Sequence, residues 1–235
     1  MINNSINVIF EGLDKTGKST QIDLIYNFLN ENFKNIKIIK TKEPGNTEVG
    51  KYIREILLNK DISMSNFTEY FLFLADRYEH IEYIKNITIK NNTKKNNNFL
   101  FLFDRSHFST FAYQIYPHIL NISSIKNKYD KKRLKEFIKI DKLIGKNIFK
   151  IIKPDLIFYF HKNKDNDVFL NKDRIEKREK EYFDKVKEGF QISFYYYFNF
   201  NNILNKIPFE NGIESNFDYI KKTVINLINK KFKGI

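Results

Sequence analysis

Short apolar runs alternate along this chain with longer stretches in which apolar residues recur every three or four positions. The runs are Val8–Phe10, Ile36–Ile39, Phe99–Phe103 and Leu156–Phe160, with a weaker one near Ile203–Phe209. Uninterrupted apolar runs of this length suit parallel strands covered on both faces. Helical spacing marks Thr20–Phe33, Thr47–Leu58, Asn66–Lys85, Lys131–Phe149, Arg174–Phe200 and Phe217–Phe232. Thr47–Leu58 sets Ile53, Ile56 and Leu57 on one face; Lys131–Phe149 carries Leu134, Phe137, Ile138, Leu143 and Ile144; Asn66–Lys85 is rich in Phe and Tyr. Strands alternating with helices predict an α/β fold in three layers, a five-stranded parallel sheet flanked by helices.

Two segments break the alternation. Lys90–Asn98 is polar and of low complexity, cannot bury apolar surface, and reads as a mobile surface loop ahead of the third strand. Pro117–Tyr129 is less polar and reads as a packed excursion. There is no internal repeat and no sign of a second domain, and 235 residues fit one domain over 1–235 with a short lid at about 162–176.

Composition narrows the chemistry. With no cysteine, disulfides, thiolate metal sites and a cysteine nucleophile are excluded. No apolar run approaches the roughly 20 residues of a membrane span. Met1–Ile6 has neither a basic stretch nor a cleavage-type segment, so the expected compartment is the cytoplasm. The net charge of +13 fits either a nucleic-acid binder or an enzyme of anionic phosphates. Lys, Asn, Ile, Phe and Tyr are abundant together, as in an AT-rich coding bias, and the lysines are scattered, not striped; this argues against a nucleic-acid partner.

Residues Gly12-Leu-Asp-Lys-Thr-Gly-Lys-Ser19 fit the phosphate-loop pattern G-x-x-x-x-G-K-[ST] at every fixed position, between a predicted strand and a predicted helix. Glycines allow backbone N–H groups to close around phosphate oxygens, and the helix N-terminus adds a favourable dipole. Gly12, Leu13, Asp14, Lys15, Thr16, Gly17, Lys18, Ser19 and Thr20 therefore form the candidate ATP site. Lys18 is placed for the β- and γ-phosphates and Ser19 for Mg²⁺ carried by ATP. Asp14 is an awkward charge among anion-binding amides; it either accepts a substrate hydroxyl or shapes the loop as an Asx turn.

Phe99–Phe103 ends in Asp104-Arg105, where a carboxylate can hold Mg²⁺ directly or through water and a guanidinium can fork onto a phosphate; a helix cap beside a surface charge is the plainer alternative. Phe73 and Arg77 share a helix face at i and i+4, which suits a base and its phosphate but also an ordinary core stripe. Lys172–Arg178 mixes charges as a solvated helix face would, unless it is a lid bringing cations over phosphates. His80, His107, His118 and His161 have no metal-ligand spacing.

In order along nearly the whole chain, these segments resemble the thymidylate kinase family of P-loop nucleoside monophosphate kinases. The resemblance rests on Phe10–Gln21, on Thr41-Lys-Glu-Pro-Gly-Asn-Thr47 with Ile53–Leu58, on Leu72–Arg77, on Asp104–Gln114, on Lys153–Leu156 and on Asp173-Arg-Ile-Glu176. It implies transfer of the ATP γ-phosphoryl group to dTMP and a homodimer, for which Asn66–Lys85 offers the interface. It implies a substrate site of Asp14, Glu43, Pro44, Arg54, Phe73, Arg77, Arg105, Thr110, Tyr113, Gln114 and Glu176. Within it, Asp14 accepts the 3′-hydroxyl, Phe73 stacks on thymine and Tyr113 stands where a ribose 2′-hydroxyl would clash. Catalytic cations are Lys18, Lys15, Arg105 and Arg174, and the metal site is Ser19 with Asp104. Two positions depart from the family pattern: Lys42 stands where Arg is common and Asn46 where Gly is. The lid lacks a run of arginines, so Lys15 takes the role of loop cation. Kinases of other nucleotides or of deoxynucleosides, and a nucleic-acid-dependent P-loop ATPase, are the competing functions.

Overall fold

The structure, a computed structural model, describes residues 5–91, 98–119, 128–162, 173–176 and 178–232. Its centre is β1 (Ser5–Gly12), buried at all eight positions. Around it lie β2 (Ile36–Lys42), β3 (Asn98–Asp104), β4 (Leu156–His161) and β5 (Leu204–Pro208), in the order β2-β3-β1-β4-β5 with every pair parallel. Side chains alternate across a strand. Phe99, Phe101 and Phe103 thus face one layer and Leu100 and Leu102 the other. On the first side pack α3 (Asn66–Asn91), α4 (His107–Thr110), α6 (Lys128–Ile151) and α7 (Lys180–Tyr196), with an aromatic-rich core including Tyr70, Phe108, Phe149 and Phe190. On the second side α1 (Lys18–Asn32) and α8 (Ile213–Lys231) cover Val8, Phe10, Phe158 and Phe160. This is the predicted three-layer α/β fold. The remaining helices are α2 (Glu48–Leu58) and α5 (Tyr116–Ile119); a π-helical stretch, Phe111–Ile115, joins α4 to α5.

Three expectations need correction. In α2, Ile53 and Leu57 are buried but Ile56 is 41% exposed. The packed face is centred on the i,i+4 pair, and Ile56 lies about 100° round the helix from Leu57. In α6, Leu143 is 63% exposed because buried Asp141, two residues earlier, faces the core. The helix expected over Arg174–Phe200 begins only at Lys180 and ends at Tyr196. Before it, the Asp173 carboxylate accepts from the backbone N–H groups of Ile175 and Glu176, both at 2.8 Å, and closes a separate turn. The expected loop at 90–98, excursion at 117–129 and lid at 162–176 fall in large part outside the described residues. Among the described residues, no helix is long and apolar enough to cross a membrane.

The register positions the site. Asp104 pairs with Phe10 of β1 and with Lys42 of β2, so β2 and β3 end level and β1 runs two residues further. The loops that follow them meet beside β1, where the strand order switches direction, which is where ligands bind in open parallel sheets.

Candidate active site

The phosphate loop leaves β1 at Gly12, whose φ is +135° and whose position would put a Cβ 2.2 Å from the Phe160 carbonyl oxygen. No larger residue fits there. Gly17, at φ +85°, caps α1, so the loop's N–H groups lead directly into a helix N-terminus. Thr16 Oγ1 donates to the Leu13 carbonyl at 2.7 Å and Lys18 Nζ donates to the same oxygen at 3.2 Å. Lys18 is 5% exposed. Burial, with the Arg105 charge, lowers its pKa to about 8 against the pull of Asp14, Asp104 and Glu11. A polyphosphate arriving there restores a full charge to this ammonium. Ser19 and Lys15 lie exposed on the open side of the loop.

Arg105 connects this loop to the rest of the cleft. It follows β3 with φ +75°, a left-handed conformation that costs a non-glycine residue about 1–3 kcal/mol. Its own N–H donates to the Phe10 carbonyl at 2.9 Å. Glu11, fully buried on β1, holds the next turn: it accepts from Ser106 N–H at 2.7 Å, Ser106 Oγ at 2.8 Å and Ser109 Oγ at 2.6 Å. Burial raises the Glu11 pKa, while Arg105 and the two serine hydroxyls oppose that shift. So fixed, the Arg105 guanidinium reaches the Gly12 carbonyl at 3.0 Å, Ser109 Oγ at 3.1 Å and the Asp14 carboxylate at 2.6 Å, and lies 5.5 Å from the centre of the Tyr113 ring. Asp14 is half exposed at the cleft; Arg105 and Lys18 hold its carboxyl below the ordinary range against the opposing effect of burial. Asp104 has a buried carboxylate oxygen, Oδ1, with no hydrogen-bond partner among the described residues.

The other end of the cleft is built from separate segments. Glu43, after β2, accepts from Arg77 Nη1 and meets His80 Nδ1 at 2.5 Å; His80 Nε2 lies 2.5 Å from Thr41 Oγ1, and Arg77 Nε donates to Thr110 Oγ1 at 2.6 Å. Five side chains from β2, the turn after it, α3 and α4 thus form one buried chain. Burial pushes His80 down to about 4, so it is neutral, and the charge pair in that chain is Glu43 with Arg77. His107, equally buried, pairs at 3.1 Å with Asp141, which also accepts from Tyr70 at 3.1 Å and Tyr197 at 2.7 Å. His80 and His107 therefore each brace a buried carboxylate. Among the described residues, no group of three His, Cys, Asp or Glu could hold a metal ion.

Between these ends lies a cleft of about 320 Å³. Of the residues singled out in the sequence, Asp14, Lys15, Glu43, Pro44, Arg54, Phe73, Arg77, Arg105, Tyr113, Gln114 and Glu176 line it. Thr110 stands behind Arg77, and Arg54 donates to the Pro44 carbonyl at 3.1 Å. Arg174 does not line the cleft: its Nε donates to the Leu57 carbonyl at 2.8 Å and its guanidinium pairs with Glu69 at 2.8 Å. Glu11, Glu69 and Ser109 join the site without having been assigned a role in the sequence, and Arg178, the last residue of the mixed-charge run, joins it through Glu69. Glu11 carries a signal there, a carboxylate inside a buried strand; Glu69 and Ser109 carry none.

The thymidylate kinase family model matches residues 10–133 of this chain. The thymidylate kinase of Prochlorococcus marinus strain AS9601 is 32% identical over 194 residues, 79% of this chain and 81% of that one. The Campylobacter hominis thymidylate kinase is 36% identical over 189 residues, 77% and 82% of the two chains. Among solved structures, thymidylate kinase from Ehrlichia chaffeensis superposes with a TM-score of 0.60 over 96% of this chain and 99% of that one, at 21% identity. That from Candida albicans gives 0.60 over 97% and 93%, at 22% identity. At such identities the structural likeness speaks for the fold alone.

Proposed function

The chain belongs to the thymidylate kinase family, and we propose that its cleft performs that family's reaction, transfer of the γ-phosphoryl group of ATP to dTMP with release of dTDP and ADP. The observation that carries this reading is Arg105, which grips the phosphate loop at Gly12 and Asp14 while its guanidinium lines the cleft that ends at Phe73 and Arg77. One cation then lies between a donor site and an acceptor site.

Two polyanions must be brought together, so charge neutralisation and positioning do most of the catalytic work. Lys18 and the loop amides take the β- and γ-phosphates, Lys15 at the open side of the loop meets the transferring group, and Arg105 takes the dTMP phosphate. The acceptor oxygen attacks in line and no covalent bond to the protein forms. Asp14 accepts the 3′-hydroxyl. Phe73 stacks on the base, Arg77 approaches the base and phosphate region, and Tyr113 closes the space beside C2′. Arg174, held on Glu69 and the Leu57 carbonyl, anchors the 173–176 turn over the acceptor in this reading, and Glu176 of that turn faces the cleft. Mg²⁺ carried by ATP would supply further positive charge at the phosphates. Ser19 at the start of α1 and the unpartnered Asp104 oxygen are the residues suited to it or to its water.

We read residues 1–235 as one kinase domain acting in the cytoplasm as a homodimer. The exposed aromatic residues Phe71 and Tyr78 of α3 support that assembly, and a monomeric mass in solution at assay concentration would remove it. An ADP-release assay across dTMP, dUMP, CMP, GMP and a DNA oligonucleotide tests the function. dTMP is expected to be the preferred acceptor, with leakage to dUMP because one methyl group is worth only about 1–3 kcal/mol. Preference for another acceptor, or ADP release driven by the oligonucleotide, would replace the reading.

A further inference from the structure

Glu69 of α3 is 2% exposed and collects three partners on one carboxylate. Arg174 and Arg178 pair with Oε2 at 2.8 and 2.5 Å, and Gln114 Nε2 donates to Oε1 at 2.9 Å. Arg178 also donates to the Tyr182 hydroxyl at 2.5 Å, which in turn donates to the Tyr113 carbonyl at 2.7 Å. A single buried acid therefore joins Arg174 and Arg178 to two neighbouring residues of the acceptor cleft, Gln114 directly and Tyr113 through Tyr182. Burial alone favours its neutral form, but Arg178, Gln114 and Arg174 outweigh that and keep it ionised.

An ionised carboxylate can only accept. It therefore fixes which way round the Gln114 amide sits, an orientation that follows from the hydrogen-bond network and not from the shape of the side chain. With Nε2 committed to Glu69, the carbonyl Oε1 lies on the opposite edge of the same planar group, and Gln114 lines the cleft. The cleft also contains the donor Arg77. Thymine presents an O4 acceptor beside an N3–H donor; cytosine presents an amino donor beside an N3 acceptor. A guanidinium donor and a carbonyl acceptor match the first pattern and clash with the second.

We propose that Glu69 is a specificity-determining positioning residue: it holds Gln114 with its carbonyl toward the nucleobase, so that the cleft accepts a base carrying N3–H and rejects one that does not. Arg174 and Arg178 pair with the other oxygen of the same carboxylate and so help to hold it ionised in front of Gln114. The proposal rests on the reading of dTMP as acceptor given above.

The test compares kcat/KM for dTMP and dCMP in the full-length wild type, Glu69→Gln, Gln114→Met and the double variant. A neutral carboxamide at 69 can donate as well as accept, so the Gln114 amide is free to turn over. Glu69→Gln is expected to lower the dTMP:dCMP ratio about tenfold to a hundredfold, the range of one buried hydrogen bond made or left unpaired. Gln114→Met is expected to do the same, and the double variant to fall no further than Gln114→Met alone. Equal loss for both nucleotides in Glu69→Gln, an unchanged ratio in Gln114→Met, or additive losses in the double variant would each overturn the proposal and leave Glu69 as an anchor of the turn only. Should Glu69→Gln not fold, Glu69→Asp takes its place: it withdraws the carboxylate from Gln114 by one methylene, so the ratio should fall in the same way, and equal loss for both nucleotides would again overturn the proposal. Wild type that fails to turn over dTMP overturns the substrate reading itself. Wild type that turns it over while the variants keep the ratio overturns this proposal alone.

Discussion

The two ends of the cleft are built in opposite ways. The donor end is nine consecutive residues, Gly12–Thr20, whose backbone runs from a strand end into a helix N-terminus. The acceptor end draws on the turns after β2 and β3, on α3, on the π-helical stretch, on the 173–176 turn and on Arg178, and side chains from far along the chain join them. The first grips with main-chain groups that any sequence of the right local shape supplies. The second grips with side chains, each set by a partner far along the chain. A general task, holding a polyphosphate, is met by local geometry; a selective one, telling one nucleobase from another, needs long-range contacts that a folded core alone can fix.

That contrast can be broken by substitution. Lys18→Ala removes the buried cation proposed to meet the ATP phosphates and is expected to reduce turnover by at least ~10³, read as ADP release; a near-normal rate would remove Lys18 from the chemistry. Arg105→Lys probes the junction of the two ends. A lysine cannot reproduce a guanidinium that reaches Gly12, Ser109 and Asp14 at once, so kcat/KM for dTMP should fall about a hundredfold. A loss confined to the ATP KM would place Arg105 wholly at the donor end. Phe73→Ala should raise the dTMP KM about tenfold with the ATP KM kept, in keeping with about 1–3 kcal/mol for a base on an aromatic ring. Equal weakening of both substrates would make Phe73 a packing residue of α3.

The smallest effect separates the ends by pH. Lys18 is lowered to about 8 by burial, so it is charged below that pH and neutral above it in the free enzyme. ATP binding must then take up a proton, and the ATP KM should rise about tenfold between pH 7 and 9. Arg77, lowered by burial only to about 10, keeps its charge over that range, and the dTMP KM should hold nearly constant. Parallel drift of both constants would show that the two ends titrate as one unit.

Much of the fold is legible in the sequence before any long-range contact is considered. Apolar runs at Val8–Phe10 and Phe99–Phe103 mark the central strands because burial on both faces leaves an unbroken hydrophobic signature. Phe73 and Arg77 are a visible pair because helical spacing alone puts them on one face. The helical pattern from Arg174 overruns the true helix because Asp173 closes a turn that propensity does not record. Glu69 is invisible for a deeper reason: a glutamate at helical spacing among aromatics looks like any surface acid until Arg174, Arg178 and Gln114 are brought to it.

The sequence by itself determined the phosphate loop, the strand–helix alternation and the residue types that face the acceptor, since these depend on neighbours a few positions apart. Tertiary structure decided that Arg105 bridges both ends and that Arg174 turns from the cleft to Glu69. It also decided which edge of Gln114 the cleft sees. Those outcomes are hydrogen bonds and ion pairs between residues 33 to 109 positions apart, which exist only after the sheet has set its register and the helices have closed over it.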